Sequence, residues 1–265
     1  MDVERKVDEE ERGHNMKLEQ VKSKDDTTFV ISGTTPSFAN ALRRACTFEA
    51  PVLAMEDIYI SKNSSALYDE MIANRLGLIP LKTDINSYTL PSECKCKGEG
   101  CARCQAKLAI KIKGPCIVYA KDFKTSDPAV KPVFPDTPIV ELIEHQELVL
   151  DAMAVLGEGK EHVKWSAGHS FYQTYPVITI GSGKGVKAGI KKCPKDVFSG
   201  DKVKNLINCD QCGACEEYSA GAIKVGSDET KFIFTFEPWG QVEPKDVLKK
   251  AASILKKKAA AVKIK

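Results

Sequence analysis

The stretch Thr35-Pro-Ser-Phe-Ala-Asn-Ala-Leu-Arg-Arg-Ala-Cys46 carries the signals for the first helix of the chain and decides much of the fold. Thr35 can cap the helix, and Pro36 suits its first position because proline has no N–H group to leave unpaired. Apolar residues then recur at helical spacing along one stripe, formed by Phe38, Ala41, Leu42, Ala45 and Cys46. Arg43 and Arg44 lie off that stripe. The pattern predicts an amphipathic helix over residues 36–48.

A second amphipathic helix is predicted near the other end of the chain. Glu243-Pro244 can open it, after a strand in which phenylalanine alternates with other residues from Phe232 to Phe236. The apolar stripe of this helix is formed by Leu248, Ala251, Ala252, Leu255, Ala259 and Val262. Its solvated face is formed by Lys249, Lys250, Lys256, Lys257 and Lys258. The two terminal helices are expected to pack against each other or against a partner.

Short extended runs dominate the middle of the chain. Strands are predicted over residues 28–32 and 52–60, and a helix over residues 65–76. From residue 78 to residue 175 most runs are short and are separated by Pro and Asp, as in a β-rich unit. The sequence therefore predicts an α+β fold.

The composition is that of an ordinary soluble protein. At 265 residues, with 43% hydrophobic and 28% charged residues, the chain is long enough for roughly two domains. No apolar run approaches the ~18 residues of a membrane span. Residues 1–15 are highly charged, so they are predicted to be a disordered extension without a secretory signal, and a cytoplasmic location is expected. The net charge of +3 is small and spread out, which argues against a free nucleic-acid binder.

Ten cysteines in a cytosolic chain indicate metal binding rather than disulfides. One set of four consists of Cys193, followed by Pro194, together with Cys209, Cys212 and Cys215. In two-cluster ferredoxins each C-x2-C-x2-C-x3-C-P run gives three cysteines to one cluster and its fourth to the other. The spacing therefore predicts one 4Fe-4S cluster on this set, with a 3Fe-4S cluster as the alternative. The positions of a second ligand set are occupied by Gly183, Val186, Gly189 and Ser219, which excludes a second thiolate-bound cluster.

The second set of four is Cys94-x-Cys96-x4-Cys101-x2-Cys104, in a short loop rich in Lys and Gly. Two close pairs of thiolates with a flexible turn between them can surround a tetrahedral ion, and four sulfur ligands with no open position are typical of structural zinc. Disulfides, or a loop that binds no metal, are the alternatives. The two remaining cysteines, Cys46 and Cys116, are interpreted as small buried residues.

Several separated motifs carry a resemblance to a known family. They are Phe38-Ala-Asn-Ala-Leu-Arg-Arg-Ala45, Ala50-Pro-Val-Leu-Ala54, Ile58, Leu67-Tyr-Asp-Glu-Met-Ile-Ala-Asn-Arg-Leu-Gly-Leu-Ile-Pro-Leu81 and Gly157-Glu-Gly-Lys-Glu-His-Val-Lys-Trp165. In this order they closely resemble the α-like assembly subunit of cellular RNA polymerases, in particular its archaeal members. The resemblance covers nearly everything from about residue 16 onward.

The resemblance implies a domain organisation that the residue patterns alone do not give. The dimerisation domain would be discontinuous, built from residues 16–53 and 228–265. A β-rich domain over residues 54–171 would be inserted into it and would carry the four-cysteine loop, which sits where the family has its zinc-binding loop. A ferredoxin-like domain over residues 172–227 would be a second insertion, found only in some archaeal members.

The resemblance also implies partners. The chain would be a non-catalytic structural subunit that pairs with subunit L and, with subunits N and P, forms the platform on which the two large catalytic subunits assemble. Phe38 and Leu42 would face subunit L, whereas Arg43 and Arg44 would contact another subunit or, alternatively, only solvent. On the terminal helix, Leu248 and Leu255 would belong to the partner interface.

No residue of the chain is assigned a catalytic role. RNA synthesis needs Mg²⁺ ions held by clustered carboxylates, and the sequence contains no Asp-x-Asp-x-Asp run. A stand-alone iron-sulfur electron-transfer protein is the alternative function, although it would leave most of the chain unexplained. A zinc-dependent DNA-binding factor is a third, disfavoured because no basic stripe or DNA-reading motif is present, so neither sequence-specific DNA binding nor membrane contact is expected. The cluster is hypothesised to stabilise its own domain and to tune assembly in response to oxygen.

Overall fold

The computed structural model describes residues 16–21, 27–97 and 99–262. The predicted disordered extension over residues 1–15 lies outside the described residues. The helices are α1 (Pro36–Arg44), α2 (Asp69–Gly77), α3 (Val186–Lys191), α4 (Ala214–Tyr218) and α5 (Pro244–Ala261). The strands are β1 (Lys17–Gln20), β2 (Thr28–Ser32), β3 (Val52–Asn63), β4 (Gln105–Lys113), β5 (Cys116–Tyr119), β6 (Lys124–Thr125), β7 (Pro138–Leu142), β8 (Glu147–Gly157), β9 (Gly168–Ile180), β10 (Phe198–Ser199), β11 (Lys202–Val203) and β12 (Ile223–Pro238). This mixture confirms the α+β prediction.

The strands form two larger sheets and two short ribbons among the described residues. One four-stranded sheet has the order β1-β2-β12-β9, and the other has the order β3-β8-β4-β6. The ribbons are β5-β7 and β10-β11. In the second large sheet the long strand β8 pairs with both β3 and β4 in antiparallel register. The apolar side chains of this sheet form the largest core of the chain, which α2 helps to cover.

Two compact units can be distinguished, and each is discontinuous in sequence. One is drawn from Met1–Asn40 and Tyr172–Thr235, and the other from Ala41–Phe171 and Phe236–Lys265. The first contains most of the β1-β2-β12-β9 sheet and all four cysteines of the predicted cluster set. The second contains the β3-β8-β4-β6 sheet, the four-cysteine loop and α5. The three-domain organisation implied by the family resemblance stays a prediction.

The opening stretch of sequence folds largely as its signals predict. The backbone N–H of Phe38 donates to the Thr35 hydroxyl over 3.3 Å, so Thr35 is the cap. The α-helix ends at Arg44, and the chain continues as a wider π-helical turn over Ala45–Glu49 rather than as the predicted α-helix to residue 48. The N–H of Ala50 closes this turn on the carbonyl of Ala45 over 3.0 Å.

The helix predicted over residues 65–76 begins later than its sequence pattern suggested. Side chains of Asn63 and Ser65 bind nearby backbone groups, with the amide of Asn63 donating to the Leu67 carbonyl over 2.8 Å. Polar residues that bond the local backbone in this way favour turns over helices. The helix therefore starts at Asp69 and ends at Gly77.

The terminal strand and helix also show how pattern and packing differ. The predicted phenylalanine strand is confirmed within β12, where Phe232, Phe234 and Phe236 are each 0% exposed. On α5 the fully buried side chains are Val247 and Ala251. The apolar stripe predicted from sequence is mostly half-exposed or exposed instead. Among the described residues, no helix has the length and apolar character needed to cross a membrane.

Candidate metal centres and partner surface

The four thiols of the loop between α2 and β4 come together in one small cluster. Their sulfur atoms all lie within 4.8 Å of one another. The contacts from Cys94 to Cys96 and Cys101 are 3.4 and 3.6 Å, and those from Cys104 to Cys96 and Cys101 are 3.5 and 3.7 Å. A tetrahedral zinc site with Zn–S bonds of about 2.3 Å has S···S edges of about 3.8 Å. The donor set therefore fits a tetrahedral ion.

The backbone of the loop holds the thiols in place by tight turns. Cys94 and Cys101 each begin a turn, because their carbonyls accept from Lys97 and Cys104 over 3.0 Å in both cases. Lys97 and Gly100 have positive φ angles of 53° and 92°, which the chain needs in order to double back between the two pairs of cysteines. All four cysteines are free thiols, so the disulfide alternative is not seen.

The electrostatic state of this loop depends on what the sulfurs bind. Burial raises the pKa of the Cys104 thiol to about 12. Without an ion this thiol is protonated at neutral pH, and a bound cation would replace its proton and stabilise the thiolate. The thiolates would then bind the ion, and the bound ion would stabilise the fold of the loop.

The predicted iron-sulfur ligands converge on a different cavity. Cys193, Cys209, Cys212 and Cys215 all line it, together with apolar side chains that include Val197 and Phe198. Burial raises the pKa of both Cys209 and Cys215, and charge on Cys193 adds to each shift. Ligands of a cubane cluster bind different iron atoms, so their sulfurs are spaced more widely than those around a single ion. The four residues therefore fit a cluster by their chemistry and by their arrangement around one cavity.

Packing explains why no second cluster set exists. Val186 and Ile223 form a small apolar core with Cys215, against which neighbouring isoleucines pack. At Gly189 a Cβ atom would approach the Cys215 carbonyl oxygen to 2.4 Å, so no larger residue fits there. The hydroxyl of Ser219 donates to the Glu216 carbonyl over 2.9 Å and accepts from the N–H of Ile223 over 2.9 Å. These positions are used to fold the segment, and the exclusion of a second cluster stays a prediction.

The predicted partner residues differ in exposure. Phe38 and Arg43 are half-buried and Arg44 is exposed. Leu42 is buried, with 6% of its surface exposed, and its contact with a partner stays a prediction. Leu248 and Leu255 on α5 are half-exposed. Around them the exposed residues include Ala252 and Ala259 on the helix and Val262 directly after it.

Two contacts that sequence reasoning missed hold this region together. The hydroxyls of Thr47 and Ser170 are 2.5 Å apart in a buried site, and Ser170 also donates to the Arg43 carbonyl over 2.9 Å. They are 123 positions apart in sequence, and no local pattern connects them.

The cysteine Cys116, interpreted as buried, is in fact exposed because it lies at the end of the β5-β7 ribbon.

The motif over residues 157–165 has a packing role. Gly157 lies against the Trp165 ring, where a Cβ atom would come within 2.3 Å of the indole. The indole N–H donates to the Val155 carbonyl over 3.2 Å, and the Lys164 ammonium lies 4.5 Å from the ring centre. Lys164 also pairs with Glu56 on β3. The motif thus fixes the loop after β8 to the edge of its own sheet.

Comparison with known proteins gives a consistent result. A family model described as the RNA polymerase Rpb3/RpoA insert domain matches residues 58–175. The chain is 42% identical over 257 residues to the DNA-directed RNA polymerase subunit Rpo3 of Methanosphaera stadtmanae, an alignment that covers 91% of this chain and 95% of that protein. Its identity to the Rpo3 subunits of Methanothermobacter thermautotrophicus and Archaeoglobus fulgidus is 42% over 251 residues and 39% over 250 residues. These alignments cover 90% and 91% of this chain, and 95% and 94% of those relatives.

Rpo3 is the name of the archaeal members of the assembly-subunit family that the sequence motifs resemble. The identity extends over most of both chains, so it is not confined to the insert domain. The chain therefore belongs to the Rpo3 subunit family of archaeal DNA-directed RNA polymerases.

Proposed function

We propose that this chain is the assembly subunit that pairs with subunit L and, together with subunits N and P, supports the two large catalytic subunits in the cytoplasm. The observation that carries this proposal is the outer stripe of α5. Leu248 and Leu255 are half-exposed, and Val262, directly after the helix, is 69% exposed. Such a stripe on an amphipathic helix is usually covered by a partner. Subunit L is the occupant that the family resemblance implies.

The same proposal explains the lack of catalytic groups. Among the described residues, the group of His, Cys, Asp or Glu side chains close enough to hold an ion consists of four cysteines. Soft thiolate ligands suit zinc, whereas the Mg²⁺ ions of RNA synthesis need carboxylate oxygens. The proposal therefore assigns the polymerase reaction to other subunits.

The two cysteine sets would hold structural groups. Cys94, Cys96, Cys101 and Cys104 would bind one zinc ion, which supplies folding free energy to its loop. Cys193, Cys209, Cys212 and Cys215 would bind one iron-sulfur cluster, which when bound supplies folding free energy and a one-electron centre. The ferredoxin-like character of the segment over residues 172–227 is part of this proposal.

The deciding experiment is an anaerobic affinity purification of the tagged chain from its native host, with the co-purifying chains identified by mass spectrometry. Subunit L and the two large subunits are expected in near-equal amounts. Recovery of redox enzymes without polymerase subunits would instead favour the stand-alone electron-transfer function.

A further inference from the structure

A patch of lysines lies on α3 and its flanking residues. Residues 181–195 include five lysines and no acidic residue. All five of these lysines are exposed. We call this feature the lysine patch, and it consists of Lys184, Lys187, Lys191, Lys192 and Lys195.

The positive charge of the lysine patch is not neutralised within the described part of the chain. None of its lysines forms an ion pair with a described carboxylate. The ammonium of Lys192 instead lies 4.9 Å from the centre of the Tyr218 ring. Like charges that are held close together on a surface produce a positive potential, which attracts an anionic partner.

The complementary charge occurs in the chain itself, ahead of β1. Asp8-Glu-Glu-Glu11 is a run of four consecutive acidic residues. β1 and the lysine patch belong to the same compact unit. We call residues 8–11 the acidic run.

The direction of β1 relates the acidic run to the lysine patch. Lys17 pairs with Ser32 of β2, and Ser32 pairs with Lys231 of β12, both in antiparallel register. β1 and β12 therefore run parallel, so the chain enters β1 from the end of the sheet at which β12 begins. The helix α3 packs at this end, because Val186 and Ile223 share one apolar core.

The length of chain between the acidic run and β1 matches the distance to the lysine patch. From Lys231 back to Ile223, β12 covers about 26 Å at about 3.3 Å per residue. Two strand spacings of about 4.8 Å separate β12 from β1, so the direct distance from Lys17 to the start of β12 is about 28 Å. An extended chain reaches about 20 Å from Lys17 to Glu11 and about 30 Å to Asp8. The acidic run can therefore reach the patch.

Covalent attachment favours this occupant over an anion that diffuses freely. A short flexible linker gives a tethered group an effective concentration in the mM range. Exposed ion pairs are individually weak, but a tethered run of acidic residues can form several of them at once. Nucleic acid is the competing anion, and it would have to displace a segment that is always present at this concentration.

We infer that the lysine patch binds the acidic run of the same chain through several exposed ion pairs. Lys195 and the predicted ligand Cys193 line one cavity, so the bound run would lie beside the predicted iron-sulfur site and would neutralise the charge around it. The inference goes beyond the proposed function and does not depend on it, because both partners belong to this chain.

Carbodiimide crosslinking of the purified full chain tests the contact, since this reagent joins a carboxylate to an amine only when the two groups touch. At low salt, mass spectrometry is expected to find crosslinks from residues 8–11 to lysines of the patch. About 1 M salt should remove most of them, because the Debye length is then about 3 Å. A full chain without crosslinks between the run and the patch at low salt would overturn the inference.

Two further arms of this experiment identify other occupants. In an equal mixture of isotopically light and heavy chains, the crosslinks are expected within one chain, and crosslinks between light and heavy chains would make a second copy the occupant. In the assembled enzyme the same crosslinks are expected with and without bound nucleic acid. Patch lysines that crosslink there only to another subunit, or that lose their crosslinks when nucleic acid binds, would overturn the inference while leaving the proposed function intact.

An exchange of charges gives an independent test. Lys187→Glu combined with Lys191→Glu should reduce the crosslinks from the acidic run to the other patch lysines at least about fivefold, because two attractive contacts become repulsive. Adding Glu9→Lys and Glu10→Lys should restore crosslinking, now between the exchanged positions. A fourfold variant that stays without crosslinks would contradict the inference.

The matched control makes the same change of charge outside the patch. Lys111→Glu combined with Lys113→Glu alters two exposed residues of β4 and should leave the crosslinks of the acidic run unchanged. All of these substitutions are at exposed or terminal positions, and thermal unfolding checks that each variant is folded. A loss of crosslinks in the control as large as that in the patch variant would show that only the total charge matters, and would contradict the inference.

Discussion

At the scale of single residues, burial decides which polar groups matter. The Tyr88 hydroxyl donates to the Asp127 carboxylate over 2.6 Å, and Tyr88 is buried whereas Asp127 is half-exposed. This hydrogen bond is the main reason why the pKa of Asp127 lies below its usual range, and a second hydrogen bond, from the N–H of Ala129, lowers the pKa further. A hydrogen bond to a charged group contributes more to stability than one between neutral groups.

We expect Tyr88→Phe to destabilise the chain by about 1 kcal/mol at neutral pH, a value reduced for the exposure of Asp127. A carboxyl group whose pKa is lowered by folding contributes stability above its unfolded pKa of about 3.9, and this contribution is lost as the pH falls through the folded value. The difference between wild type and variant should therefore become smaller as the pH falls. Urea unfolding at several pH values measures it, and a difference that stays constant from neutral to acidic pH would contradict the assignment.

The loop of four thiols gives the second prediction at this scale. Cys101→Ser should reduce bound zinc in the purified chain from about one ion to nearly none, because a neutral hydroxyl is a poor zinc ligand. Cys116→Ser is the control, since Cys116 is exposed and is not one of the four grouped thiols, and it should retain the ion. Elemental analysis of both proteins measures this. Equal zinc contents would exclude Cys101 as a ligand, and the absence of zinc from both would indicate a loop that binds no metal.

At the scale of elements, α5 has a buried face and a face that is half-exposed or exposed. Val247→Ala should lower the free energy of unfolding by about 1–3 kcal/mol, because Val247 is fully buried. Leu255→Glu should change stability little, since Leu255 is half-exposed, but it should weaken binding of subunit L at least tenfold by placing a charge in an apolar contact. Thermal unfolding and a binding titration with subunit L separate the two effects. If the Leu255 variant bound subunit L as tightly as the wild type, Leu255 would not belong to the interface.

The packing of the short helices α3 and α4 leads to a prediction about the second ligand set, whose cysteines this chain lacks. Gly189→Cys restores a ligand type from the two-cluster pattern, yet its Cβ atom would collide with the carbonyl of Cys215 on α4. We expect this variant to lose iron and stability, not to gain iron. Gly183→Cys is a milder control, because its Cβ atom would meet only the Ala222 side chain at 3.5 Å. If the Gly189 variant contained more iron than the wild type, the backbone around Cys215 would have to shift to accept the new side chain, and the prediction would be wrong.

At the scale of the whole molecule, the cluster set lies in a unit whose local core is small. That core centres on three buried residues, so metal ligation is expected to supply much of the folding free energy of the segment. A Cys209→Ser, Cys212→Ser double variant should lose the cluster, become protease-sensitive over residues 172–227 and assemble poorly. Assembly assays under air and without oxygen measure the regulatory part of the hypothesis, and normal assembly in both conditions would refute it.

Much of the fold was predictable because its signals are local. Thr35 and Pro36 mark the start of α1, the alternating phenylalanines mark β12, and Glu243-Pro244 marks the start of α5. The two candidate ligand sets rest on local signals as well, since the spacing of thiols along a loop limits what they can surround, and their metals stay a prediction. The late start of α2 was missed because bonds from Asn63 and Ser65 compete with the helix.

The sequence by itself determined the family, the α+β class and the two candidate ligand sets, because short-range spacing and motif order carry that information. Only the tertiary structure decided which face of α5 is buried, that Leu42 is buried in its own chain, and that the hydroxyls of Thr47 and Ser170 meet. Thr47 and Ser170 are 123 positions apart in sequence, so no periodicity relates them. Burial is a property of the space around a side chain, and only the folded chain defines that space.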